Sequence, residues 1–412
     1  MPMRRLGLMM LALPLASPLA AQADWSADGY VQGSGSASSS PRNWQAGGVG
    51  TQGNGDGLGV ESRLGLTLEY EQLRARISLL AHGETARQEA PPAGLLEAFV
   101  DYGALSEDGY RVRAGLSFAG TSRENIESFW QTPYTLSLSA LNTWIGEEYR
   151  PIGVEATRRL TLDSGAALDL GATAFIGNDT GPAALAWRGF ALHNRPSVYG
   201  EALPVLPLAS LSNPDQFGNQ RSDGTQPLGP DLDGRIGYAL RLRYAVPEGP
   251  QWSLFATDNR GDRALHDGDE YAWHNRFVVA GFQWPLSGEF TLIAESLVGD
   301  TAMGFPPGAN VQADYQAHYL LLSYTHTAWT VSGRTELFRV EEKDFSVAEN
   351  NDQDGHAFTL AVLYEFDDWR FGVELQHAQI TRPGNRTDLL PAFGSQQGGN
   401  RVELLARRYF GS

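Results

Sequence analysis

Seven arginines occupy polar positions in three segments of the chain where apolar and polar residues alternate. They are Arg74, Arg76, Arg111, Arg113, Arg235, Arg241 and Arg243. An arginine keeps its positive charge at any relevant pH and offers a planar fork of donors to carboxylate or phosphate. The sequence therefore predicts an anion-attracting surface, provided that the fold brings the three segments together.

Carboxylates close to these arginines allow a second interpretation. A tight turn would place Glu69 opposite Arg74, and Asp101 would lie near Arg111 or Arg113 across another turn. Cross-strand pairs of opposite charge are ordinary sheet chemistry, so the arginines could mainly neutralise acids. Three outcomes stay open here, namely local pairing, an anion-favouring path and a surface of weak selectivity.

A second group of charged residues lies in the segment 120–151, together with unusual apolar content. Its charged members are Arg123, Glu124, Glu127, Glu147, Glu148 and Arg150. Trp130 and Trp144 flank the apolar stretch 136–141. Surface loops are ordinarily polar, so this composition predicts that the segment packs against another part of the molecule.

Motifs for metal binding or catalysis are weak or absent from the sequence. Asp231-Leu-Asp-Gly234 and Asn351-Asp-Gln-Asp-Gly355 resemble calcium loops but lack the ligand spacing that ends in a glutamate, which favours solvated turns. The chain has no cysteine, which excludes disulfides and thiolate metal sites. No nucleophile elbow, phosphate loop or zinc-protease signature occurs. We expect no cofactor, no metal and no enzyme activity.

The elements that must position these residues alternate with a period of two. Val60, Leu64 and Leu68 share one face of a segment whose other face carries Glu61 and Arg63. The same pattern recurs over 73–82, 236–246, 358–366 and 401–410. Such alternation predicts β-strands with one apolar and one polar face. Alternation alone is also compatible with a soluble sandwich whose apolar faces stack on one another.

The connections between these segments alternate in length. Short links follow Tyr70, Leu105, Leu162, Val246, Trp284, His326 and Phe366. Longer polar links cover 36–58, 84–93, 120–151, 178–232, 261–271, 301–313, 343–354 and 382–399. Short periplasmic turns and long outer loops are typical of a transmembrane barrel, here with sixteen strands and both ends in the periplasm. The stretch 185–193 is predicted to belong to the fourth loop and not to add a strand.

Aromatic residues cluster near the proposed short turns and at the C-terminus. They include Tyr70, Tyr102, Tyr110, Tyr244, Trp252, Trp284, Phe290, Trp329, Phe366, Trp369 and Phe410. Rings at these positions would form the interfacial girdle of a membrane barrel. We expect the last strand, which ends on Phe410, to be recognised by the barrel-assembly machinery.

The N-terminus predicts secretion. Residues 1–23 combine a basic start, an apolar run and the small-residue site Ala21-Gln22-Ala23, as in a signal peptide. The barrel would then span 24–410, with Gly411-Ser412 as a tail that a cloning remnant would explain. No other segment has the ~20 apolar residues of a membrane helix. The net charge of −17 argues against nucleic acid as a partner.

Together these features resemble the bacterial outer-membrane porin superfamily over nearly all of the chain. The segments Arg113-Ala-Gly-Leu-Ser-Phe118 and Arg150-Pro-Ile-Gly-Val-Glu155 flank the long third loop and are similar to the corresponding region of phosphate-selective porins of the O and P type. Those porins use an arginine ladder and a lysine cluster in the lumen. This chain has one lysine, Lys343, in a predicted outer loop, and so departs from the lysine element.

The resemblance implies an all-β fold, a transmembrane antiparallel up-and-down β-barrel of about sixteen strands, surrounded by lipid in the outer membrane of a Gram-negative bacterium and assembled as a homotrimer. It also implies that the third loop, 120–151, folds into the lumen and narrows it, with Trp130 and Trp144 on the inner wall and the loop's charges at the constriction. The seven arginines would then line the pore. A subunit contact or an extra hairpin above the membrane is the alternative for this loop.

Two functions of different classes follow from this architecture. The first is a porin for passive diffusion of small hydrophilic solutes, with a preference for anions such as phosphate or carboxylates. The second is an outer-membrane barrel enzyme, or a plugged barrel, with a site on the rim. Sixteen strands favour the porin, because a barrel of that circumference leaves a water-filled channel unless loops plug it.

Overall fold

The computed structural model of the chain describes residues 23–39, 56–85, 93–106, 108–205, 209–213, 215–218, 220, 224–229, 231–267, 270–344, 346, 349–382 and 396–411. The predicted signal peptide lies outside these residues apart from Ala23, as does Ser412 of the predicted tail. Parts of the predicted loops 36–58, 84–93 and 382–399 also lie outside them.

Within the described residues, the alternating segments form sixteen strands that close into one antiparallel barrel. The barrel strands are β1 Asp24–Ser38, β2 Gly57–Tyr70, β3 Leu73–Glu84, β4 Ala93–Ala104, β5 Tyr110–Leu116, β6 Ile152–Thr161, β7 Ala167–Ile176, β8 Gly237–Ala245, β9 Gln251–Asp258, β12 His274–Pro285, β13 Phe290–Gly304, β14 Asn310–His326, β15 Trp329–Glu342, β16 Gln353–Phe366, β17 Trp369–Thr381 and β18 Gln396–Phe410. A separate ribbon, β10 His266–Asp267 and β11 Glu270–Tyr271, lies in the loop after β9. The predicted fold class and strand count are confirmed.

Each barrel strand pairs with its neighbours in the sequence, so that β9 pairs with β12 and β18 returns to β1. The closing register places Gly29 opposite Phe410 and Ser38 opposite Arg401. Closure gives every strand two hydrogen-bonded neighbours and removes the open edges that hydrocarbon could not satisfy. The first and last strands therefore depend on each other.

The connections alternate between short turns and long loops, as predicted. The two-residue turns after β2, β14 and β16 begin at Glu71, Thr327 and Asp367, whose φ values are 51°, 52° and 50°. A positive φ at this position is what the mirror-image hairpin turns need to match the twist of the strands. In barrels of this kind the short turns mark the periplasmic end.

The two faces of the wall differ in the way that the alternation predicts. The outward side chains of Leu240 and Leu404 are 65% and 55% exposed, whereas Glu61 and Arg63 on the inner face are 2% and 1% exposed. Rings such as Trp252 near the short turns are also exposed on the outside. This arrangement provides an apolar belt for lipid and a polar lining for the lumen.

The third and fourth loops fold into the lumen. The third loop, between β5 and β6, contains a 3-10 turn (Ser128–Trp130) and helix α1 (Ala140–Glu148), whose 9 residues are all buried. The fourth loop, between β7 and β8, contains helix α2 (Ala183–Arg188) and a 3-10 turn (Ala209–Ser212). As predicted, the stretch 185–193 stays within this loop. In the part of the chain that the structure describes, no helix is long and apolar enough to cross a membrane.

An apolar core joins both loops to the inner wall. It includes Trp144 and Tyr149 of the third loop, Phe190 of the fourth loop, and Phe277 and Tyr315 of the strands. Burying a large apolar side chain contributes about 1.5–3 kcal/mol. We infer that this core is a main reason why the two loops stay inside the barrel.

The barrel wall is lower on one side. Strands β5 to β9 have 7 to 10 residues, whereas the other barrel strands have 12 to 17. We call β5–β9 the short wall. Its inner face carries four of the predicted pore-lining residues, namely Arg111, Arg113, Arg241 and Arg243.

Candidate functional site

The third loop is tied to the inner wall by strand carboxylates that accept backbone N–H groups. Glu374 accepts from the N–H groups of Leu136 and Ser137 at 2.7 and 3.1 Å. Glu336 accepts from the N–H of Ala140 at 2.7 Å. The first N–H groups of a helix have no partner within the helix, so Glu336 satisfies a donor at the start of α1 that would otherwise be orphaned.

Two predicted constriction residues of the loop, Glu124 and Glu127, pair with arginines of the strands. Arg334 of β15 binds Glu124 and also donates to the carbonyl oxygen of Ser137 at 3.0 Å. Arg370 of β17 binds Glu127 through two bonds of 2.7 and 3.0 Å. Bidentate and buried pairs are strong because little water competes for the charges. Both carboxylates are therefore neutralised within the contact between loop and wall.

Glu147 and Glu148, at the end of α1, connect the third loop to the fourth. Arg188 of α2 binds Glu147, and Glu148 accepts from the N–H of Ala184 at 3.0 Å. Burial raises the pKa of both carboxyl groups, although the charge of Arg188 opposes the shift. These contacts join the two loops into one packed body inside the barrel.

Arg150, at the end of the third loop, binds carbonyl oxygens. Its guanidinium donates to the carbonyls of Leu96 and Gly146 at 3.0 and 3.1 Å and lies over the ring of Phe118 at 4.2 Å. Burial lowers the pKa of Arg150 to about 9. The residue therefore holds the end of the loop against β4.

The two predicted tryptophans of the third loop lie inside the barrel. Trp144 contacts the rings of Phe277 and Tyr315 on the wall, with centroid distances of 4.9 and 5.1 Å. Trp130 stacks on Phe118 of its own loop at 4.8 Å. Both side chains are buried, which accounts for the apolar composition of a segment that would otherwise face water.

Local pairing with carboxylates involves six of the seven predicted pore-lining arginines, and three of these six lie on the short wall. Asp101 of β4 binds Arg113 through two bonds of 2.7 and 2.8 Å. Glu155 of β6 accepts from Arg241 at 2.8 Å and from Arg111 at 3.2 Å. Because one carboxylate serves two guanidinium groups, this pairing leaves positive charge in excess.

Arg159 extends the same group, and the sequence did not single it out. It binds Asp169 of β7 through two bonds of 2.7 and 2.8 Å. Arg159 follows Glu155 and Thr157 at alternate positions of β6, so the period-two pattern could have identified it.

Arg123 of the third loop and Arg243 of the short wall converge on one neutral acceptor. Arg243 donates to Gln251 Oε1 at 2.7 Å and Arg123 donates to the same oxygen at 3.2 Å. Among the described residues, no carboxylate lies within 4.0 Å of either guanidinium. Burial, and then the charge of Arg243, lowers the pKa of Arg123 to about 10. Neither guanidinium of the pair is therefore bound by a carboxylate, and the nearby Glu295 accepts from the backbone N–H of Arg123 at 2.7 Å.

A cavity of about 80 Å³ separates the short wall from the third loop, and we call it the arginine gap. Its lining includes Arg111, Arg113 and Arg241 on the wall, and Phe118 and Tyr149 on the loop. A cavity of this volume holds a few water molecules. In the described part of the chain, six guanidinium groups lie at this wall and loop, and four of them are bound by three carboxylates. The six belong to Arg111, Arg113, Arg123, Arg159, Arg241 and Arg243, and the three to Asp101, Glu155 and Asp169.

Four of the seven predicted pore-lining arginines, namely Arg74, Arg76, Arg235 and Arg243, do not line the arginine gap. Arg76 is buried and binds Asp28 through two bonds of 2.7 and 2.8 Å. The side chain of Arg74 is 44% exposed near the periplasmic turn and lies 3.4 Å from Glu69. Arg235 precedes β8 and forms an ion pair of 2.6 Å with Asp262 in the outer loops.

Two groups of carboxylates in the outer part of the molecule could hold a cation. Ligand oxygens lie within 4.8 Å of one another in the group Asp179, Asp231 and Asp233 and in the group Glu342, Asp344 and Glu349. Burial raises the pKa of Asp179 to about 6, and the neighbouring aspartates add to the shift. None of these residues lines the arginine gap. The expectation that the chain binds no metal stays a prediction.

Comparison with known proteins supports the architecture. No protein-family model and no curated protein sequence matches the chain. The outer membrane channel DcaP of Acinetobacter baumannii is similar with a TM-score of 0.56 and 12% identity, over 95% of this chain and 98% of that one. A form of the outer membrane protein OmpT of Vibrio cholerae without its loop L8 is similar with a TM-score of 0.52 and 11% identity, over 94% of this chain and 100% of that one. The trimer form of OmpT is similar with a TM-score of 0.51 and 10% identity, over 94% of this chain and 99% of that one.

At these identities the likeness is one of fold. The chain has the sixteen-stranded barrel of outer-membrane porins, so the resemblance stated from the sequence is confirmed at the level of the fold. A closed barrel with a lipid-facing apolar belt belongs to the outer membrane of a Gram-negative bacterium.

Proposed function

We propose that the protein is an outer-membrane porin through which small hydrophilic solutes diffuse, with a preference for anions. The arginine gap carries this proposal. Arg111, Arg113 and Arg241 line the narrow space between the third loop and the short wall, and of the six guanidinium groups at this wall and loop four are bound by three described carboxylates. Fixed positive charge beside a narrow aqueous space raises the local concentration of anions and lowers that of cations.

Arg123 and Arg243 are central to this preference. Because no described carboxylate binds either guanidinium, an entering anion need not displace an existing ionic partner. The planar fork of each guanidinium matches the oxygens of carboxylate or phosphate. The acidic residues Glu124 and Glu127 do not oppose the pair, since both are bound in the contact between loop and wall.

The packed loops limit the size of the solute. The arginine gap has room for a few water molecules only, so we expect small ions to pass at low conductance while both loops stay in place. A plugged barrel is the second candidate function, and the core shared by the third and fourth loops favours it. Movement of one loop would convert the plugged barrel into an open porin.

The polar groups of the lumen suit a channel better than a rim enzyme. The polar groups that converge on the arginine gap are mainly guanidinium and carboxylate groups bound to one another, an arrangement that creates a fixed field without using any reactive group. The only lysine of the chain, Lys343, follows β15 in an outer loop, so arginines alone would recognise a carboxylate or a phosphate in the lumen.

The proposed partners are outer-membrane lipid, two further copies of the chain and the barrel-assembly machinery. Gly33 and Gly35 lie on the outward face of β1, and small residues let neighbouring membrane segments approach closely. OmpT of Vibrio cholerae, which shares the fold, is known in a trimer form. We expect the assembly machinery to recognise β18, which ends on Phe410 and closes the barrel.

Single-channel recording of the purified protein in a planar bilayer tests the proposal. With a potassium chloride gradient across the bilayer, the reversal potential should have the sign that marks chloride as the more permeant ion. A potential of the opposite sign would contradict the anion preference. Folded protein that forms no channels would contradict the porin function and favour the plugged barrel.

A further inference from the structure

An apolar groove of about 620 Å³ lies on the outer face of the short wall. Its floor contains Ala156 and Ala172, which stand directly opposite each other on β6 and β7. The surrounding side chains of Leu170, Leu240 and Leu254 are 42%, 65% and 46% exposed. Two short side chains among long ones create a depression in the belt that faces lipid. We call this depression the lateral groove.

Arg158 lies at the periplasmic end of the lateral groove. It pairs in register with Tyr110, the first residue of β5, so it stands at the level of the aromatic girdle. In the described residues, no carboxylate lies within 4.0 Å of its guanidinium. By contrast, the outward Arg276 and Arg339 pair with aspartates at 2.7 and 3.4 Å, and the outward Arg408 lies over a tryptophan ring.

We propose that the lateral groove holds one phospholipid of the inner leaflet, with a hydrocarbon chain against Ala156 and Ala172 and its phosphate on Arg158. The apolar lining suits the hydrocarbon chain of the lipid, and the guanidinium without an ionic partner suits the phosphate of its headgroup. A second barrel would present a convex face that bridges the groove and leaves a void, whereas a flexible chain can fill it. The inference requires only that the barrel spans the membrane, and it is independent of ion preference.

Native mass spectrometry of the full-length protein in mild detergent with added phosphatidylglycerol tests this site. We expect one retained lipid per chain. Arg158→Gln removes the charge that attracts the phosphate, so retention should become about fivefold weaker. Ala156→Leu combined with Ala172→Leu fills the groove from its floor, and retention should be lost.

Arg408→Gln and Ala294→Leu are the controls, because they make substitutions of the same kinds on the outer face away from the groove. Both should retain lipid as the unchanged protein does. Diacylglycerol has the two chains but no phosphate, and the unchanged protein should retain it poorly. This last measurement uses no variant, so it decides the phosphate contact even if a substitution prevents folding.

Several outcomes would overturn the proposal. Equal retention of phosphatidylglycerol by Arg158→Gln and the controls, or equal retention of diacylglycerol, would exclude the phosphate contact. If the filled groove still retains lipid, or if filling changes the number of copies in the complex instead, the groove is not a lipid site. Channel recordings are made separately, so failure of this test is distinguishable from failure of the porin function.

Discussion

Arg243 illustrates how a lumenal charge can be held in place without being neutralised. Its register neighbour on β9 is Ser253, and its hydrogen-bond acceptor is the amide oxygen of Gln251. An amide oxygen orients a guanidinium but brings no negative charge. Arg113, by contrast, is bound by the carboxylate of Asp101 and contributes less net field. Both arginines lie on the inner face of the short wall, yet their electrostatic roles differ.

Replacing Arg123 and Arg243 together by glutamine should shift selectivity toward cations while the barrel persists. A unit charge at about 4 Å contributes roughly 1 kcal/mol even in water, which corresponds to about a fivefold change in anion occupancy for each charge. The reversal potential of the double variant in a salt gradient should therefore move toward the cation value. Glutamine is polar and of similar length, so the width of the path should change little.

Arg276→Gln combined with Arg339→Gln is the matched control for this prediction, because it removes two positive charges from the outer faces of β12 and β15. Its reversal potential should equal that of the unchanged protein. If the control shifts as much as the double variant, bulk charge explains the effect. If the double variant does not shift at all, Arg123 and Arg243 do not face the path.

The third and fourth loops show the limit of what composition can predict. The tryptophans of the third loop indicate burial, but nothing local identifies Arg334 as the partner of Glu124, which lies 210 positions earlier. The fourth loop was expected to be an outer loop, yet Trp187 and Phe190 within it are buried in the lumen. Long loops have no period, so their packing depends on surfaces that exist only once the barrel has closed.

Shortening the third loop within 130–144 should raise the single-channel conductance severalfold. The deletion removes much of α1 and its contacts with the wall, so the lumen should become wider between the short wall and β15. Ion selectivity should become weaker at the same time, because a wider path weakens the field of the arginines. Recordings of the deletion and of the unchanged protein in the same salt solution measure both effects.

Arg334→Gln provides a gentler test of the same element. It leaves the loop complete but removes a buried charge that binds Glu124, and breaking such a pair typically costs about 3–5 kcal/mol. We expect fluctuating currents with intermittent openings. Arg276→Gln breaks an exposed pair on the outer face and should leave the current unchanged. Steady currents of normal size from both the deletion and Arg334→Gln would mean that the third loop does not narrow the path.

At the scale of the whole molecule, the barrel was predictable because a strand with two different faces has a simple sequence signature. A shift of one residue would exchange the lipid and lumen faces, so the pattern defines which side chains face inward. The ion pairs of the lumen were less predictable, because a long side chain can reach past the adjacent strand and bind a residue on the strand beyond it. Arg241 on β8 reaches Glu155 on β6 across the whole width of β7, and strand register alone would pair it with Phe255.

Truncation after Ala406 should prevent formation of the barrel. It removes the four residues that pair with Gln32, Tyr30 and their neighbours on β1, including the 2.9 Å bond from Arg407 to Gln32. Each backbone group left unpaired in hydrocarbon costs several kcal/mol, so the hydrogen bonds that close the barrel could not be completed in the membrane.

On a gel, unheated detergent extracts of the full chain should migrate differently from boiled ones, and the truncated chain should migrate the same in both. A chain that ends at Phe410 keeps the whole seam and should behave as the full chain does. Normal outer-membrane levels and heat-dependent migration of the truncated chain would show that closure does not depend on the end of β18.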